Sequence, residues 1–195
     1  MSRSATISRI TNETEIQIEI ELDGSGKIEV STGLGFLDHM LTALAFHAGW
    51  DLNLIVKGDL DVDDHHTVED CGIVLGESIA TAMGSKESLT RYGSKYAPLD
   101  ESLARTVVDF SGRPGASIDL QLVRELIGEV ATENLTHFFQ SMAFAGKFTL
   151  HVDVLKGSND HHKAESAFKS AALAMKEALT LVSNSKRLPS TKGTL

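Results

Sequence analysis

The stretch "DVDDHHTVED" (Asp61–Asp70) sets two histidines side by side among five acidic residues. The pattern returns as "SNDHHKAESA" (Ser158–Ala167), so Asp-His-His-x-x-Glu occurs twice with the same internal spacing. Working outward, "HMLTALAFHAGWDLNLIVKG" (His39–Gly58) lines up with "HFFQSMAFAGKFTLHVDVLKG" (His137–Gly157). Both begin with His, carry "AF" before a Gly, run into an alternating segment and end in "KG". The leading His precedes the His-His pair by 26 residues in the first half (39 to 65) and 24 in the second (137 to 161). Self-similarity over this length marks two copies of one structural unit. The expected fold class is α+β: two duplicated half-domains, each a small, mostly antiparallel sheet packed against two helices and related by a pseudo-twofold. The expected boundaries are 1–88, 89–182 and a C-terminal tail, 183–195.

Local patterning fills in the units. "EIQIEIEL" (Glu15–Leu22) alternates as a half-buried strand does. "DGSG" (Asp23–Gly26) reads as a hairpin turn that returns "KIEVST" as the next strand. Apolar residues at helical spacing (Phe36, Leu37, Met40, Leu41, Leu44) predict a helix over Gly35–Gly49. A strand over Asp51–Gly58 and a helix over His66–Gly84 follow. The second half predicts strands over Ser102–Ser111 and Gly115–Leu122, a helix over Ala131–Gly146, a strand over Lys147–Gly157 and a helix over His161–Val182.

Composition removes several classes of function. The net charge of −9 and the absence of a Lys/Arg-rich run argue against nucleic acid as a partner. A single cysteine, Cys71, excludes a disulfide framework and a thiolate-rich zinc site. The N-terminus lacks a signal-peptide apolar core and no segment approaches a membrane span, so a cytoplasmic protein is expected, or a mature organellar form. The sequons at Asn12 and Asn134 read as chance.

Residues four apart on a helix share a face. His65 with Glu69, and His161 with Glu165, can each give one ion an imidazole and a carboxylate. The adjacent His66 and His162 are turned by roughly 100° and point away from their own pairs. A symmetric assignment puts His65, Glu69, His137 and His162 in one site and His39, His66, His161 and Glu165 in the other. Whether the repeats meet within one chain or between chains stays open. Imidazoles and a carboxylate without thiolate suit a first-row divalent ion; six-coordinate Mn or Fe would keep positions open for substrate. A lone His-His pair is more often a surface feature than a ligand set; its repetition with matched upstream histidines is what favours metal. His47 and His151 fall outside the duplication and read as packed or surface residues. Asp64 and Asp160 read equally as helix N-caps or as partners that orient the ligands.

The segments "GFLDHML", "DDHHTVED" and "NDHHKAE", with "RITNETEI" and the tail "LPSTKG", together resemble the imidazoleglycerol-phosphate dehydratase family along essentially the whole chain. The resemblance implies dehydration of imidazole glycerol phosphate to imidazole acetol phosphate in histidine biosynthesis. It also implies two Mn(II) ions per active site, sites lying between subunits, and a cubic assembly of twenty-four chains. Glu13 matches an acid/base glutamate, Arg91 and Arg113 match arginines that hold the substrate phosphate, and Ser190 and Lys192 match its remaining ligands. Thr136 stands before His137 where many relatives have Glu.

The reaction must take a proton from carbon and expel hydroxide. The expected route is an imidazolate bridging two metals and a diazafulvene-like intermediate, with Glu13 or Glu165 moving protons. A dinuclear hydrolase, a metal-storage cage and a metal-stabilised structural assembly are the alternatives; none but the hydrolase would need a base such as Glu13.

Overall fold

The computed structural model describes residues 2–182 and 188–193. The first half contains β1 (Ser4–Ile10), β2 (Thr14–Glu21), β3 (Ile28–Ser31), α1 (Gly35–Ala48), β4 (Asp51–Gly58) and α2 (His65–Met83). The second contains β5 (Tyr92–Leu99), β6 (Ser102–Asp109), β7 (Gly115–Asp119), a small hairpin of β8 (Leu126–Ile127) and β9 (Val130–Ala131), then α3 (Thr132–Ala145), β10 (Thr149–Lys156) and α4 (Asp160–Ala178). Strand order is β1-β2-β4-β3 in one sheet and β5-β6-β10-β7 in the other, so the two halves share one topology. In each sheet only the last strand is parallel to its neighbour. The α+β duplication read from the histidine motifs is the architecture observed.

The expected hairpin at Asp23–Gly26 does not form. β3 pairs not with β2 but with the far side of β4, in parallel, Ile28 opposite Leu52. The turn is held from β4 instead: the Asp51 carboxylate accepts the backbone N–H groups of Ser25, Gly26 and Lys27 at 2.6, 2.7 and 2.8 Å. That grip carries the chain past the start of β4, and α1 then makes the crossover a parallel pair needs.

Two edge strands, β1 and β5, have little apolar signal. Facing inward, β1 offers buried Ala5 and half-buried Ile7 and Arg9, and Arg9 meets the Asp70 carboxylate at 2.5 Å. On β5 the inward Gly93 lies so close to α4 that an added Cβ would sit 1.9 Å from the Ala174 carbonyl oxygen. Small residues replace large ones where backbone meets backbone, and alternation fades. The last helix also stops short of its expected end at Val182. The Val182 N–H donates to Ser88 O at 2.7 Å and Leu181 bridges Leu89, so the chain leaves α4 to continue the sheet edge near residue 90.

Each helix packs across the duplication, α1 against α4 and α2 against α3. The apolar side chains of both halves form one continuous core, including fully buried Trp50, Phe110, Phe138 and Phe168. The α2–α3 contact is a backbone approach: a Cβ on Gly76 would lie 2.3 Å from the Met142 carbonyl oxygen. Gly76→Ala therefore pushes the helices apart, and overpacking of this kind costs about 1–3 kcal/mol. The thermal midpoint should fall by several degrees, whereas Gly35→Ala, with nothing within 4 Å of the new Cβ, should leave it in place. Equal midpoints for the two variants would contradict this packing.

Candidate metal centre

Each His-His pair opens a helix. The Asp63 carboxylate accepts the His65 N–H and the Asn159 side chain accepts the His161 N–H, both at 2.9 Å. These residues satisfy the otherwise unpaired amides of a first helical turn. The next residue in each motif does something else. Asp64 accepts the Ala131 N–H at 2.8 Å, and Asp160 accepts those of Val123 and Arg124 at 2.8 and 2.7 Å. Asp160 is also paired with buried Lys163 at 2.9 Å. Burial alone would raise its carboxyl pKa; the Arg124 amide and Lys163 outweigh that and hold it below the usual range. Asp64 and Asp160 thus neither cap nor orient the histidines. They staple the segment between β7 and α3 to the starts of the two long helices.

Two triads follow from the cross-half helix packing. On α1 and α4, His39 Nε2 and His161 Nε2 lie 3.1 and 3.2 Å from Glu165 Oε2. On α2 and α3, His137 Nε2 and His65 Nε2 lie 3.1 and 3.7 Å from oxygens of Glu69. Within each triad one donor atom per residue lies within 4.8 Å of the others. Two imidazoles and one carboxylate converging this closely fit a first-row divalent ion and leave coordination positions open. Around the second triad, His65 Nδ1 lies 3.0 Å from Asn134 Oδ1, the kind of outer partner that fixes a ligand ring. Asn134 is only 4% exposed, so its side chain belongs to this site. Thr136 instead lines a cleft with Gln121, Thr132 and Glu133.

Glu165 is held ionised. Burial raises its pKa, but Lys169, at 2.6 Å, and His39 outweigh it and hold the carboxyl at about 2. Lys169 was missed in the sequence. The signal was available: it lies four residues after Glu165, on the same helix face, where the first repeat has Ile73. His47 packs edge-on against Phe46, and its pKa is lowered by burial and by Lys169 nearby. His151 is exposed on β10.

His66 and His162 stand outside both triads, so one chain brings together three of the four ligands expected for each shell. His66 Nδ1 lies 3.0 Å from Asp59 and His162 Nδ1 lies 2.8 Å from Glu101. These carboxylates raise the pKa of both rings. A carboxylate on Nδ1 also fixes the ring and leaves Nε2 as its outward atom. His66 Nε2 faces exposed Glu13, 3.6 Å away.

Arg91 is buried and already engaged. Its Nε and Nη2 donate to Asp109 at 2.7 and 3.0 Å, and its Nη1 donates to the Pro189 carbonyl at 2.7 Å. Arg91 thereby ties the tail to the start of β5. Ser190 lines a cleft with Arg91, Tyr92, Pro189 and Thr191. Arg113 is exposed ahead of β7, and Lys192, also exposed, donates its backbone N–H to Ser190 Oγ at 3.2 Å.

The family model for imidazoleglycerol-phosphate dehydratase matches residues 32–175. A relative of that name from Lachancea kluyveri is 50% identical over 217 aligned residues, covering 99% of this chain and 93% of the relative. One from Phytophthora nicotianae is 53% identical over 99% of this chain, which spans 42% of that longer protein. The crystal structure of imidazoleglycerol-phosphate dehydratase from Staphylococcus aureus superimposes with a TM-score of 0.83 at 38% identity, covering 92% of this chain and 99% of that one.

If each triad holds its own ion, Glu165→Gln and Glu69→Gln should each remove about half of the divalent metal retained after dialysis. His47→Ala should retain all of it. Metal analysis showing full loading in both glutamine variants would refute the assignment.

Proposed function

This chain belongs to the imidazoleglycerol-phosphate dehydratase family, whose members are hydro-lyases, and on that premise we propose that it removes water from imidazole glycerol phosphate, giving imidazole acetol phosphate in histidine biosynthesis, with two Mn(II) ions per active site. The observation that carries the reading is the pair of triads: His39, His161 and Glu165, and His65, Glu69 and His137. These residues would hold the metals, which when bound supply Lewis-acid activation of the substrate ring and a template for it.

The remaining assignments follow from what each side chain has free. His66 and His162 would complete shells on neighbouring chains, because their Nε2 atoms lie outside the triads of their own chain. This supports sites between subunits; the cubic assembly of twenty-four chains enters this reading from the family resemblance alone. Exposed apolar residues such as Ile10, Val62, Val123 and Phe144 are available for such contacts. Among the described residues no helix is long and apolar enough to cross a membrane, and a cytoplasmic location is the reading we adopt. Residues 1–88 and 89–182 would be the two repeats. The tail, 183–195, would reach the phosphate, although 183–187 and 194–195 lie outside the described residues.

For proton transfer the geometry favours Glu13 over Glu165. Glu165 accepts from Lys169 and lies against two imidazoles, and its low pKa makes it a poor proton donor near neutrality. Glu13 is exposed, and among the described residues its carboxylate makes no hydrogen bond, only a 3.6 Å approach to His66. In this reading Glu13 would protonate the departing hydroxyl or carry the C2 proton. Arg113, Ser190 and Lys192 would bind the substrate phosphate beside Arg91 and hold the reacting carbons in register.

The test is turnover of imidazole glycerol phosphate by metal-stripped protein, with and without added Mn(II). Metal-dependent formation of imidazole acetol phosphate is expected; folded, Mn-loaded protein yielding none would overturn the reading. Glu13→Gln should lower kcat by about 10²–10⁴-fold while metal content and KM stay near normal. Unimpaired turnover in that variant would remove Glu13 from the chemistry.

A further inference from the structure

Strand register gathers cations at one end of the β5-β6-β10-β7 sheet. Tyr92 pairs with Asp109, Asp109 with Thr149, and Thr149 with Gly115. Just outside these rungs lie Arg91, one residue before β5; Lys147, two before β10; and Arg113, two before β7. The Phe110 N–H donates to Arg91 O at 3.1 Å, and Thr149 Oγ1 donates to Arg113 O at 3.3 Å, so the three segments are held together. Lys86, in the connection between α2 and β5, shares their field. Its pKa is lowered by burial and by the positive charges of Arg91, Lys147 and Arg113, with Asp109 opposing. Asp109 is already chelated by Arg91. With Arg91 and Asp109 paired to each other, Lys86, Lys147 and Arg113 remain as positive charges at this end of a chain of net charge −9.

Lys147 has a further oddity. Its φ is +52°, in the left-handed region where glycine sits without steric cost. Its side chain is exposed, so core packing does not account for a lysine there. Among the described residues neither Lys86 nor Lys147 has a salt-bridge partner. Arg91, meanwhile, has three of its five N–H groups committed to Asp109 and Pro189, which limits what it can give a ligand.

We propose that Lys147 and Lys86 are binding residues for the substrate's phosphate group, supplying the mobile point charges that Arg91 does not. The inference rests on the phosphate-end assignment of the proposed function and adds two residues to it. As ammonium groups on flexible stems, both would act through charge rather than through a fixed fork. Their contribution should therefore weaken with ionic strength.

The experiment uses the Mn-loaded, assembled protein and the variants Lys147→Gly, Lys147→Arg and Lys86→Met. Lys147→Gly removes the cation while relieving the left-handed backbone, so its thermal midpoint should be unchanged or higher. KM for the phosphorylated substrate and Ki for inorganic phosphate should both rise about three- to tenfold in Lys147→Gly and Lys86→Met. The change should shrink in high salt, with kcat within about twofold of the parent; Lys147→Arg should restore both constants. Unchanged KM and phosphate Ki would overturn the proposal. So would a fall in kcat together with midpoint or assembly, which would mark a structural role. If the parent shows no turnover, calorimetry with inorganic phosphate separates the two claims. Weaker binding in the variants would keep the anion site and reject only the substrate, and unaltered binding would reject both.

Discussion

The backbone contact between α2 and α3, made possible by the missing side chain at Gly76, is the constraint on which the candidate site depends. A helix can place His65 and Glu69 on one face by its own periodicity, but it cannot supply a third ligand. His137 comes from the other repeat, and it arrives within 3.1 Å of Glu69 because the two helices meet without Cβ atoms between them. The companion pair, α1 with α4, brings His39 to His161 and Glu165 by the same logic. Neither repeat alone forms either triad. Assembly of either triad therefore needs both repeats, and one shared core holds them together.

Carboxylates around the histidines divide into distinct physical tasks. Glu69 and Glu165 converge with imidazoles in the two triads. Asp59 and Glu101 face the Nδ1 atoms of His66 and His162 and fix which nitrogen remains outward. Asp63 caps a helix, while Asp64 and Asp160 capture backbone amides from the segment that leads into α3. Lys169 lies against Glu165, while Lys86, Arg91, Arg113 and Lys147 gather at one end of the second sheet.

Much of this was legible in the residues themselves. The repeated Asp-His-His-x-x-Glu, the i,i+4 spacing within it and the alternation in β2, β4 and β10 depend only on helix and strand geometry, which is local. They determined the α+β duplication, the four helices and the pairing of His65 with Glu69 and of His161 with Glu165 on one helix face. The phosphate-end residues had no such local signature and entered only by resemblance. Lys169 was visible as a break in the repeat, at the position of Ile73, but its meaning needed Glu165 beside it.

What the tertiary structure alone decided is non-local. β1 and β5 carry little apolar alternation, because β1 buries only Ala5 and Gly93 of β5 gives up its side chain to the backbone of α4. The placement of β3 beyond β4 was decided by the Asp51 carboxylate, a residue distant in sequence from the turn it rearranges. The capture of Arg91 by Asp109 and Pro189, and the turning of His66 and His162 to Asp59 and Glu101, depend on partners that no spacing rule connects. The sequence by itself determined which residues share a helix face or strand face, because that is set by bond geometry a few residues long. The meeting of faces from opposite repeats was decided by backbone clearance and hydrogen-bond partners tens of residues away.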